Sequence, residues 1–174
     1  MTYLHCRRCG TTLRASAHSR VTSCPRCLGE GEYPAPMLTE GVPPEGVHPD
    51  MDLVRRAFRL LEAGACERML ELFDEDFDGR PLSSDVTISG RPEARAFLDR
   101  ATTGQNSLDA VAFRFERNGK GQVGVFGRLR VRRPDGIVDT PAAWIYSVAH
   151  GRIVHAESYT NMVEAQRALR PQEE

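Results

Sequence analysis

The hydrophobic period of this chain changes once, near Leu108, and that change limits it to one fold class. Before Leu108 the apolar residues recur at helical spacing: Leu53, Val54, Ala57, Phe58, Leu60 and Leu61 make one stripe, as a half-buried helix requires. Asp50 or Asp52 would cap this helix, and Gly64 is a natural stop beyond its end. A second helix is predicted over about Ala65–Phe73, then an acidic turn through Asp74, Glu75, Asp76 and Asp78, then a short strand near Asp85–Ser89. A third helix starts at Arg91-Pro92, with Ala94, Phe97 and Leu98 inward, because proline suits a first helical turn. After Leu108 the period becomes two. Val111, Phe113 and Phe115 alternate with Ala112, Arg114 and Glu116; Val123, Val125, Leu129 and Val131 oppose Phe126, Arg128, Arg130 and Arg132. Helices followed by an antiparallel meander mean an α+β fold. The arginine stripe Arg114, Arg128, Arg130 and Arg132 reads as a solvated sheet face, with an anionic-ligand or nucleic-acid surface as the alternative.

The last two strands, Thr140 to Thr160, flank His150-Gly151 and form a predicted hairpin. Trp144, Tyr146 and Val148 alternate with Ala143, Ile145 and Ser147; Ile153, His155, Glu157 and Tyr159 alternate with Val154, Ala156 and Ser158. One face of this hairpin therefore gathers aromatic and ionisable groups, and the other gathers small ones.

The N-terminus carries Cys6-Arg-Arg-Cys9-Gly10 and Cys24-Pro-Arg-Cys27, two C-x2-C pairs with fourteen residues between them. Each pair turns two thiolates to one side of a knuckle, and two knuckles complete a tetrahedral zinc site. The arrangement resembles a zinc ribbon, so one structural zinc per chain is expected on Cys6, Cys9, Cys24 and Cys27. Four thiolates leave no open position for catalysis and no vacancy for His5 or His18. Two disulfides or a thioredoxin-like redox pair are the competing readings; a reducing compartment disfavours the first and the missing βαβ context the second. Cys66, on the second predicted helix, reads as an inert buried thiol. The ribbon has few apolar residues (Leu4, Leu13, Val21, Leu28), so metal binding must supply most of its folding energy.

Charge is divided unevenly although the net charge is only −1. Residues 1–28 hold five arginines (Arg7, Arg8, Arg14, Arg20, Arg26) and no acid, whereas residues 29–52 hold six acids and no base. The basic ribbon suits a protein partner, or less well a nucleic acid, since no aromatic is interleaved to stack on bases. The stretch 31–49 is rich in proline and glycine and reads as a linker. The division is thus 1–30 zinc ribbon, 31–49 linker and 50–170 main domain. No apolar run approaches the roughly 18 residues of a membrane span, and no leader-like segment opens the chain, so a cytoplasmic protein that engages no membrane is expected.

The main domain contains Leu61-Glu62-Ala63-Gly64, Leu72-Phe73-Asp74-Glu75-Asp76, Ser89-Gly90-Arg91-Pro92-Glu93-Ala94-Arg95-Ala96-Phe97 and Gly151-Arg152-Ile153-Val154. Together these strings resemble the NTF2-like superfamily, the cone-shaped α+β fold that includes SnoaL-like polyketide cyclases and ketosteroid isomerases. The resemblance implies three N-terminal helices on a curved, mainly antiparallel sheet that encloses an apolar pocket, with a homodimer formed through the sheet. It also implies where isomerase chemistry would sit. The tyrosine, base and oxyanion-hole aspartate positions fall on Ala57, Pro81 and Ala143, none of which can do that work. Asp78 and His155 remain as weak catalytic candidates.

The same resemblance turns Ala57, Ala143, Ile145, Ser147, Val154, Ala156 and Ser158 toward the pocket, and Trp144, Tyr146, His155, Glu157 and Tyr159 outward, as a subunit interface. Three functions compete. The first is a non-catalytic dimerisation or small-molecule-binding domain whose zinc ribbon binds a partner. The second is a SnoaL-like enzyme acting on a hydrophobic carbonyl compound, and the third is a ligand-sensing regulator whose ribbon contacts nucleic acid.

Overall fold

The computed structural model describes residues 2–6, 11–15, 23–25, 37–39, 48–82, 86–102, 108–118 and 120–170. Within them the order is β1 (Thr2–Cys6), β2 (Thr12–Ala15), β3 (Met37–Thr39), α1 (Pro49–Glu62), α2 (Cys66–Leu70), β4 (Phe73–Arg80), β5 (Ile88–Ser89), α3 (Gly90–Thr102), β6 (Leu108–Arg117), β7 (Gln122–Arg133), β8 (Gly136–Ala149), β9 (Arg152–Tyr159) and α4 (Met162–Leu169). The fold is α+β. The nine described strands join one curved sheet in the order β3-β1-β2-β6-β7-β8-β9-β4-β5, with β4 parallel to β9 and the other pairs antiparallel.

Helix α1 forms where the apolar stripe lies, burying Met51, Val54, Ala57 and Phe58. Its cap is His48, whose ring nitrogen accepts from the Asp50 N–H at 3.3 Å; Asp50 itself reaches Arg117 of β6 at 3.4 Å. Gly64 ends the turn beyond α1 at φ +69°, a conformation that costs glycine little. The main core joins α1, α2 and α3 to the concave face of the sheet, with Phe115, Val123, Val125 and Ile153 fully buried. Each such side chain contributes about 1.5–3 kcal/mol.

Four departures from the expected architecture matter. Helix α2 is short, and the acidic run expected as a turn lies within strand β4, whose pairing with β9 shifts between Phe73 and Asp78. Strand β4 forms because Phe73 and Phe77 are both needed in the core, where their rings meet edge to face at 4.7 Å; the acids between them face outward. A fourth helix, α4, went unpredicted. It is capped by Asn161, whose side-chain oxygen accepts from Val163 and Glu164 N–H, and its last carbonyl, that of Leu169, accepts from Asn118 Nδ2 at 2.9 Å. Strand β6 carries a bulge at Phe113, so Phe115 is buried while Phe113 is exposed rather than sharing one face.

The N-terminal strands are the fourth departure. They do not stand apart from the main domain: β2 pairs with the edge of β6 through Thr12↔Phe115 and Leu13↔Arg114. Met37–Thr39, inside the stretch read as linker, forms β3 against β1, because Met37 can bury itself with Leu4 and Leu13. Arg55 of α1 secures the junction. Its guanidinium is buried, donates to the Thr12 hydroxyl and lies 6.0 Å from the Phe115 ring.

Candidate functional site

The three helices α1, α2 and α3 close over the concave face of the sheet and leave a cavity of about 160 Å³. Ala57, Phe58 and Leu61 come from α1, Met69 and Leu70 from α2, and Ala94, Phe97, Leu98 and Ala101 from α3. The sheet supplies Phe73, Phe77, Trp144, Tyr146, Ala156 and Ser158, with Pro81 and Leu82 at the end of β4. Phe58 orders the aromatic wall. Its ring meets Trp144 at 5.5 Å, Phe115 at 5.7 Å and Tyr146 at 5.9 Å, all edge to face, the arrangement aromatic quadrupoles favour.

This wall corrects the faces expected for the hairpin. A two-residue turn at His150-Gly151 with unbroken pairing would set Tyr146 opposite His155 and Trp144 opposite Glu157. The observed pairs are Tyr146↔Ala156, Trp144↔Ser158, Ser147↔His155, Ile145↔Glu157 and Ala143↔Tyr159, because the register shifts between Ser147 and Val148. Val154 is the extra residue, opposite none. Directly opposed residues of an antiparallel pair share a face, and one inserted residue inverts the parity of everything beyond it. Trp144 and Tyr146 therefore point into the cone rather than toward another subunit. Ala143, Ile145 and Ser147 point away from it, and Ala143 and Ile145 lie beneath α4 with Phe126, Ala165 and Leu169.

The weak catalytic candidates come together, but on the convex side. His155 Nδ1 and Asp78 Oδ2 lie 2.6 Å apart, across the parallel β4–β9 ladder where Asp78 opposes His155. Neither lines the cavity, so neither can serve as base for a molecule held in the cone. Beside them the Tyr159 hydroxyl donates to Glu157 at 2.7 Å, and the Arg80 guanidinium lies 3.5 Å from the same carboxylate. Burial, and then the hydrogen bond to Glu157, hold the Tyr159 pKa above the ordinary phenol value.

Within the cavity the chemistry is sparse. Among the described lining residues there is no aspartate, glutamate or histidine. Ala57 and Pro81, two positions where isomerase groups would fall, line it as apolar surface, and the third, Ala143, faces the other way. The Thr102 hydroxyl is taken up by the Leu98 carbonyl at 2.8 Å. Trp144 Nε1 and the Tyr146 hydroxyl have no hydrogen-bond partner among the described residues. Burial raises the Tyr146 pKa above the ordinary phenol value, since the phenolate would lose its hydration; the group is therefore a donor at neutral pH.

The arginine stripe is largely neutralised. Arg128 and Arg130 share Asp139 at 2.6 and 3.2 Å, Arg114 reaches Glu116 at 2.9 Å and stacks on Phe126, and Arg132 reaches Asp109 at 3.4 Å. The Arg128 hydrogen bond holds Asp139 below its usual pKa. Sequence reasoning placed these arginines on one face but missed the acids that answer them, because Asp139 and Asp109 come from neighbouring strands.

Of the four expected zinc ligands, Cys6 and Cys24 are fully buried in one cluster with Leu4 and Met37; Cys9 and Cys27 lie outside the described residues. Among the described residues no group of three or more potential ligands gathers. One thiol from each C-x2-C pair in a common buried cluster fits a four-cysteine site. No described helix is long and apolar enough to cross a membrane.

No protein-family profile matches the chain, and none of the characterised proteins compared with it is similar in sequence. Solved structures are similar in shape. An NTF2-like protein of unknown function from Burkholderia pseudomallei superposes with a TM-score of 0.57 at 19% identity, covering 71% of this chain and 99% of its own. A protein from Jannaschia sp. CCS1 assigned to the SnoaL-like polyketide cyclases gives 0.55 at 19% identity, over 70% and 91%. A Mycobacterium tuberculosis protein solved in complex with estradiol-17beta-hemisuccinate gives 0.56 at 17% identity, over 66% and 95%. The likeness at these identities is one of fold: with its helices on a curved sheet, this chain has an α+β fold similar in shape to these NTF2-like and SnoaL-like structures.

Proposed function

We propose that this protein is a small-molecule-binding cone domain whose cavity holds an apolar ligand, with a zinc-held N-terminal module docked on the edge of its sheet for a protein partner. The observation that carries the reading is the lining of the cone: apolar and aromatic walls, polar groups that can donate a hydrogen bond, and no carboxylate or imidazole among the described residues. Such a lining favours transfer of an apolar molecule out of water but offers little for proton abstraction. The complex of one fold neighbour with an estradiol derivative is in keeping with it.

Zinc on Cys6, Cys9, Cys24 and Cys27 would fasten the two knuckles, and the burial of Cys6 and Cys24 together supports that set. A second copy would pack on the part of the convex face that α4 leaves open, around His155 and Glu157. Light scattering reads this directly.

Trp144 is the chain's one tryptophan and lines the cavity, so its emission reports occupancy. Titration with small apolar aromatics should change it saturably, and metal analysis should find about one zinc per chain. An emission indifferent to every such compound would overturn the ligand reading; purified protein without zinc and with disulfide-bonded cysteines would overturn the metal.

A further inference from the structure

The cavity is small, and its polar groups are few. A volume of about 160 Å³ is close to the roughly 150 Å³ apolar cavity that takes up benzene, so the space suits one ring with a short substituent. Against that space stands the Tyr146 hydroxyl, which has no hydrogen-bond partner among the described residues. Tyr146 is half-buried and lines the cavity, so a bound acceptor would take the place of water at its hydroxyl. Phe58 holds the Tyr146 ring edge to face at 5.9 Å, which fixes the direction of the hydroxyl. The one cation among the described lining residues, Arg80, has its guanidinium 3.5 Å from the Glu157 carboxylate, which partly offsets its charge toward an anion.

We infer that Tyr146 is the specificity-determining donor of the cone, selecting a neutral single-ring compound that carries one hydrogen-bond acceptor, such as an aryl ketone, over its hydrocarbon isostere. This rests on the cone being a ligand site. Burial keeps the phenol protonated, so it gives a hydrogen bond and does not withdraw a proton. Ser158, opposite Trp144, is a hydroxyl on the same wall, but a rotating aliphatic hydroxyl is less directional than a phenol held by its ring.

The test is a matched pair: acetophenone and α-methylstyrene differ by the exchange of a carbonyl oxygen for a methylene. Calorimetric titration of the full chain gives the ratio of their affinities, and Tyr146→Phe should lower that ratio about fivefold or more while α-methylstyrene binds as well as before. A ratio unchanged by Tyr146→Phe overturns the assignment of Tyr146 and leaves the ligand site standing. Failure of both compounds to bind the wild type overturns both. A second measurement does not depend on the variant folding: the carbonyl stretch of acetophenone bound to the wild type should fall below its position in an alkane. A stretch left at the alkane position would overturn the hydrogen bond.

Discussion

Tyr146 stands directly opposite Ala156 across the β8–β9 ladder, and both face the cavity. The small side chain on β9 makes the room that the large one on β8 borders. Filling it should close the site. Ala156→Leu is expected to weaken apolar-ligand binding at least about tenfold, since the added atoms take space the ligand needs and overpacking costs about 1–3 kcal/mol. Trp144 emission reads the loss of binding, and circular dichroism checks that the fold persists.

Arg55 joins the N-terminal strands to the main domain, so its truncation should act on both. Arg55→Ala removes the donor to Thr12 and the cation over Phe115, leaving buried polar atoms and a gap. A destabilisation of about 2–4 kcal/mol is expected. Urea unfolding would measure it, and limited proteolysis should cut earliest within the first fifty residues. Cleavage beginning instead in the main domain would contradict the docking role.

Gly127 lies where the β6 bulge presses closest to β7. A Cβ there would sit 1.9 Å from the Val111 carbonyl oxygen, so Gly127→Ala must displace backbone and should destabilise by about 2–4 kcal/mol. At Gly64 a Cβ would meet nothing within 4 Å, and Gly64→Ala should show only the cost of a left-handed alanine, about 1–2 kcal/mol. Thermal unfolding of the two variants should rank them in that order.

Tyr146 and Tyr159 both have pKa values raised above the free phenol, chiefly by burial. The folded state therefore holds these protons more tightly than the unfolded state. Their contribution to stability is complete below the unfolded value of about 10 and is lost as pH rises beyond it. Alkaline difference spectroscopy should show these two of the chain's four tyrosines ionising with unfolding rather than before it. Replacing both with phenylalanine should remove that late step.

The helices α1 and α3 and the meander β6 to β9 were legible because each exposes its period within a dozen residues. Helix α4 carried a readable signal in Asn161 and Glu164, whose side chains lie 3.1 Å apart at its first turn, but eight residues are too few for periodicity to speak. Strand β4 was misread because its acids suit a turn locally; Phe73 and Phe77 outweigh them only once a core exists to receive both rings. The convex network was half legible, since His155 and Asp78 stood out as residues while their contact spans 77 positions of chain.

Amino-acid order alone determined the α+β class, the stripes of the helices and the alternation of the strands, since these follow from spacing along one segment. Which face of the hairpin looks into the cone was decided by tertiary structure. One unpaired residue, Val154, inverts the parity between β8 and β9, and nothing in an alternating strand announces where the ladder will skip. The docking of the N-terminal strands was decided in the same way. The edge of β6 and the reach of Arg55 come into being only when α1 has packed on the sheet.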